Sequence, residues 1–177
     1  NAWILSARLK LKYYTSVSAG GTWKDRNVSA HQVLVPWDDT RATSTKRTAS
    51  ANWGQSYGQP GVDYKSTPEI SVLITARTIR GSFRYWNLQE LTEKWLNGTA
   101  ANYGVMLIAD NEDTPGHDLR FHSTESAPSL YDQPYLEVEW TQQYRTVYYL
   151  KDHLGSIRAS VDENGQLVGY DDYDPWG

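Results

Sequence analysis

WNLQELTEKWLNGTAANYGVMLI, Trp86 to Ile108, decides how this chain reads. It holds the one stretch with convincing helical spacing, Leu88 to Leu96, in a chain otherwise patterned by twos. Asn87 stands at the N-cap with Glu90 three residues later, so side-chain oxygens are in place for the first free amides. Trp86 and Leu91 take the two positions of a hydrophobic staple, and Gly98 follows the last turn as a stop. Leu88, Leu91 and Trp95 share one face, so the helix must lie on something apolar. Val105 to Ile108 then reads as a compact buried strand. One capped helix feeding one strand predicts a lid across an all-β fold, an antiparallel β-sandwich or jelly roll.

The strands on either side fit that expectation. In Trp3 to Tyr14, the residues Trp3, Leu5, Ala7, Leu9, Leu11 and Tyr13 alternate with Ile4, Ser6, Arg8, Lys10, Lys12 and Tyr14. Strict alternation predicts one buried face. Val28–Val35, Ile70–Ala76, Ser82–Trp86, Tyr103–Ala109, Leu119–Ser123 and Tyr135–Thr141 follow as further strands. The expected core takes Leu5, Leu9 and Leu11 from the first strand and Ile70, Val72 and Ile74 from the third. Leu91 and Trp95 come from the helix, then Val105, Leu107 and Phe121, and finally Leu136, Val138 and Trp140 from the last body strand. Pro36 to Pro68 is a long polar stretch carrying Trp37, Trp53, Tyr57 and Tyr64, and its length requires that it be packed down.

Texture changes at Val147. Val147–Leu150, Ser156–Val161 and Gln166–Tyr170 are short strands, and Asn164-Gly165 is a two-residue hairpin signal. The chain divides into a body, 1–141, a linker, 142–146, and a hairpin extension, 147–177. The extension is too small to stand alone.

With 177 residues, 39 % apolar, the chain has enough for one core plus an appendage. Eight Trp and thirteen Tyr against two Phe suit half-exposed sheet faces. Two basic and six acidic residues lie in Val147–Gly177, so the extension carries the whole net charge of −4. That excludes the basic stripe a nucleic-acid binder needs. No cysteine is present, which removes disulfides, thiolate metal sites and thiol catalysis. No segment has the apolar length to insert in a membrane as a helix, and the first residues lack the pattern of a signal peptide.

Two resemblances add to this. Ile4-Leu-Ser-Ala-Arg-Leu9, Pro36-Trp37-Asp38-Asp39, Trp95-Leu96-Asn97-Gly98 and Asn102-Tyr103-Gly104 resemble segments of the DNRLRE-type domain. Phe121-His122-Ser123-Thr124-Glu125 and Gln133-Pro134-Tyr135-Leu136-Glu137-Val138 extend that likeness. It implies a β-sandwich of secreted and surface proteins, here without the strands that precede Ser6 in the family. Tyr148-Tyr149-Leu150-Lys151-Asp152-His153-Leu154-Gly155-Ser156-Ile157-Arg158 resembles the YD-repeat core of Rhs-type proteins, as do Asp162–Gly165 and Tyr170–Gly177. Such repeats are hairpins that stack into shells, and about thirty residues are too few for one. Neither encapsulation nor self-cleavage carries over.

Chemistry is sparse. Gly54-Gln-Ser56-Tyr-Gly58 matches a nucleophile elbow, but polar loop precedes Ser56 and Gln59-Pro60-Gly61 follows, where the elbow needs a strand and a helix. Asp110, Glu112, Asp113 and Asp118, with His117 and His122 nearby, are the one candidate for Ca²⁺, although their spacing fits no EF-hand loop. His153 beside Asp152 reads as a structural residue of the extension. Asn27-Val-Ser29 and Asn97-Gly-Thr99 match the N-glycosylation pattern. Trp37, Trp53, Tyr57 and Tyr64 suit either pinning of the long loop or stacking against sugar rings.

The expectation is a non-catalytic extracellular or cell-surface structural protein. Its extension would pair head-to-tail with another copy through Val147, Tyr149, Leu150, Ile157, Val161, Leu167 and Trp176, building a filament by strand donation. The alternative is a carbohydrate-binding module of a larger Rhs-like surface protein, with polysaccharide as the partner.

Overall fold

Alternation along the first strand makes it the spine of the body. The computed structural model describes residues 2–18, 24–110, 117–125, 127–142, 146–151, 154–155 and 157–170. It is an all-β fold with one short α-helix, and its strands lie in three antiparallel sheets. The chain splits into two compact units: Ile4–Trp140, and a smaller one of Asn1–Trp3 with Thr141–Gly177.

In the body, β1 (Ala2–Ser18) is flanked by β4 (Phe83–Asn87), β6 (His117–Phe121) and β7 (Tyr135–Gln142). The second sheet runs β3 (Ile70–Ile74), β2 (Arg26–Gln32), β5 (Val105–Ala109). Although β3 and β4 are consecutive, they belong to different sheets, and a turn with Gly81 at φ 83° carries the chain from one to the other. Both sheets feed one apolar core. Leu11, Tyr13 and Trp86 come from the first, Val28, Ala30 and Ile74 from the second, and Leu88 joins from the helix entry. The Trp86 indole N–H donates to the Val28 carbonyl at 2.8 Å, tying the two sheets with a buried hydrogen bond.

The helix α1 (Gln89–Leu96) begins one residue later than its sequence suggests. The N-cap is Leu88, not the expected Asn87, and it makes no side-chain cap bond; Asn87 lies one residue earlier, where its Oδ1 accepts the Gln89 amide at 3.1 Å. At the other end Gly98 (φ 69°) donates to Trp95 O and Thr99 donates to Lys94 O. That pair of bonds is a Schellman stop, which needs a left-handed residue after the cap. Leu88 and Leu91 are buried as expected. Trp95 is only half-buried, because Leu91 and Thr92 take the deepest positions on the helix.

Four further expected core residues lie outside it. Leu5 is 58 % exposed, and Ile4 is buried in its place. By alternation Leu5 shares the face of Ala7 and Leu11 yet stays open to solvent, while Ile4 is buried on the opposite face. Leu136, Val138 and Trp140 are 37 %, 36 % and 58 % exposed. Their orientation is as read, since Glu137 and Glu139 face the other way to meet Lys10 and Ser6. Each keeps more than a third of its surface open to solvent.

In the smaller unit, β8 (Val147–Lys151), β9 (Ile157–Asp162) and β10 (Leu167–Tyr170) form a three-stranded sheet with β9 in the centre. The turn after β9 is not the two-residue loop expected. Gly165 donates to Asp162 O, Asp162 donates to Gln166 O, and Gly165 alone of the loop has positive φ, 77°. This is a three-residue loop, a type I turn closed by a left-handed glycine. The Asp162 carboxylate, 4 % exposed as a residue, fixes it by accepting the amides of Asn164 and Gln166.

Candidate functional site

The long loop is held by polar bonds as much as by rings. Trp37 Nε1–H donates to Tyr103 O and Trp53 Nε1–H to Thr43 O, so both indoles are pinned by their edges. Arg47 donates to Pro36 O at 2.6 Å. Thr40 donates to the Asp38 carboxyl from its hydroxyl and its amide, and these bonds hold that carboxyl below its usual range. The deepest pin is Asp63, 2 % exposed, whose Oδ2 accepts the amides of Gly54 and Gln59, each at 2.7 Å. Sequence reading missed Asp63, and its place just after Pro60-Gly61 was the available signal. Tyr64 follows it, bridging Val33 and meeting His31 edge-on at 5.3 Å.

This scaffold gathers three of the four ring residues expected to act together. Trp53, Tyr57 and Tyr64 line one open hollow of about 600 Å³, floored by Met106 and Ile108 of β5 and rimmed by Thr43, Ser44, Gln55 and Ser56. Tyr57 is 76 % exposed and is the only described non-glycine residue with positive φ, 66°. A left-handed tyrosine costs about 1 kcal/mol and persists only where its surroundings impose it. Here the Tyr57 amide is held by Ser44 O at 2.6 Å and the next amide, Gly58, by Gln55 O. Trp37 stays outside the hollow, at 44 % exposure. Chemically this is apolar ring surface bounded by hydroxyls and amides, the lining that suits a flat ligand with one apolar face.

Among the described residues no other candidate assembles. Ser56 Oγ donates to Ser44 O, and it sits in a loop with neither the strand nor the helix of an elbow. Among the described residues no three carboxylate or imidazole groups cluster to hold a cation. Asp118 pairs with Arg120 and Asp110 accepts from Asn27, while Glu112 and Asp113 lie outside the described residues, as do His153 and Trp176.

The smaller unit presents a second candidate surface. Register places Tyr148 and Leu167 opposite Val161, and Leu150 and Tyr170 opposite Ala159, so these residues share one face, while a register shift sets Ile157 across from Lys151. Tyr148, Leu150, Leu167 and Tyr170 are 55 %, 52 %, 61 % and 73 % exposed. Val147 and Tyr149 point to the opposite face, opposite Asp162 and Ser160. The residues expected to form one interface are thus divided between two faces, and Tyr148 and Tyr170 belong with the apolar one. Loop length decides the place of Leu167, since a two-residue turn would have set Val168 across from Val161. The register shift between Leu167 and Gly169 brings Tyr170 to the same face.

Comparison with protein-family models, with curated proteins and with solved structures finds no match to this chain. The two resemblances therefore stand on their quoted residues alone.

Proposed function

We propose that this chain is a non-catalytic structural protein of the cell exterior, a β-sandwich whose hairpin extension binds a neighbouring copy head to tail. The observation that carries the reading is the exposed apolar face of the β8–β9–β10 sheet. A three-stranded sheet gains independent stability by burying such a face, and in this chain its four largest side chains remain in water. The resemblance to YD-repeat hairpins, which stack on one another, points the same way. Extracellular location rests on both resemblances.

Sedimentation velocity of the full chain tests it. Concentration-dependent growth beyond a dimer is expected, abolished by Leu167→Asp and Tyr148→Asp together. A wild-type chain that stays monomeric at several hundred micromolar would falsify the assembly.

A second reading is favoured by one specific observation, the exposed Tyr57 above the Trp53–Tyr64 hollow. Under this reading the body binds polysaccharide by stacking sugar rings on Tyr57. Affinity electrophoresis across neutral and acidic polysaccharides should show retardation lost in Tyr57→Ala. Equal mobility of both proteins on every gel removes this reading.

A further inference from the structure

We infer that the acceptor for the extension of a neighbouring copy is the open side of β7. This rests on the assembly reading and gives it a second surface. Among the described residues β7 pairs with β1 and with nothing else, so the backbone groups along its other edge are open to an incoming strand. Glu137 and Glu139 are held on one face by Lys10 and Ser6. Alternation turns Leu136, Val138 and Trp140 to the other face, the one on which Ala7 and Leu11 are buried. Yet these three, and Leu5 on β1, are 36–58 % exposed. Their row has the orientation of core and the accessibility of surface.

The extension has the complementary features. Its outer strands, β8 and β10, each pair only with β9 among the described residues, so each offers a free edge. Its exposed row, Tyr148, Leu150, Leu167 and Tyr170, contains no charged side chain, and neither does the row on β7 and Leu5. Burying one against the other leaves no unpaired charge. Together the eight side chains expose on the order of 1,000 Å², the lower bound for a specific interface, before strand pairing is added. Every chain offers one row of each kind, so copies match in number and the contact is heterologous, able to propagate.

The test uses the full chain. Val138→Arg places a charge in the acceptor row at a position 36 % exposed, where the fold tolerates it. Self-association in sedimentation velocity should weaken about tenfold or more, because that charge is unpaired once buried. Tyr57→Ala, outside both rows, should assemble like wild type. If wild type assembles and both Val138→Arg and Trp140→Arg assemble equally well, the acceptor lies elsewhere and the assembly reading survives alone. If wild type never assembles, both fall. Because the chain lacks cysteine, a mixture of Val138→Cys and Tyr148→Cys proteins oxidised with diamide provides an independent measurement. Disulfide-linked pairs several-fold above either protein alone support the contact. A bond formed only within a chain carrying both changes assigns the acceptor to its own extension and overturns the inference.

Discussion

The Asp63 carboxylate accepts the Gly54 amide at 2.7 Å, nine residues back along the chain, and the same oxygen accepts the amide of Gln59. Two strands of a wandering polar loop are thereby fastened to one buried group. The hollow between Trp53 and Tyr64 inherits its shape from that fastening.

Asp63→Ala leaves two amides without their charged acceptor, and the expected loss is about 2–4 kcal/mol. Urea unfolding measures it. Limited proteolysis should also show new cleavage between residues 44 and 60, ahead of any cut in the sheets.

Tyr57→Gly separates stability from binding. Glycine tolerates the left-handed backbone at φ 66°, so the variant should be more stable by about 1 kcal/mol. The exposed ring is lost with it. A thermal midpoint that rises while polysaccharide retardation vanishes is the expected pair of results.

The two tryptophans of the helix region should respond in opposite ways to phenylalanine. Trp86 is fully buried and its N–H is bonded to Val28 O, so Trp86→Phe should cost about 1–2 kcal/mol and Trp86→Ala about 3–5 kcal/mol. Among the described residues the buried Trp95 Nε1–H has no hydrogen-bond partner. Trp95→Phe should therefore be neutral or slightly stabilising. Denaturant midpoints of the three variants decide it.

Acid should weaken the contact between β1 and the short 3₁₀ turn Leu130–Asp132. The hydrogen bond from Lys12, first, and its charge hold the Asp132 carboxyl below the ordinary value. A depressed folded pKa adds stability that is present above the unfolded value, about pH 4, and is lost as pH falls through the folded one. Lys10 has the opposite sign: its bond to Glu137 raises its pKa, so its contribution holds below pH 10.5 and fades at higher pH. Asp132→Asn should flatten the acid limb of Tm against pH and leave the alkaline limb unchanged.

What the sequence determined by itself was local. The Asn87–Gln89 bond and the Gly98 stop act within one turn of chain, and the strands follow from alternation that any two-sided sheet rewards. Tertiary structure decided which alternating residues became core. Leu136, Val138 and Trp140 alternate as regularly as Val28 and Ala30, but burial needs an opposing layer, and periodicity says nothing about whether one is there. Leu5 stays exposed while Ile4 is buried for the same reason: what packs against each face of the strand, not the alternation, decides burial. The face that unites Tyr148 with Leu167 depended on one residue of turn length, and the hollow beneath Tyr57 on Asp63, whose bonds reach across nine residues of loop that no short-range pattern connects.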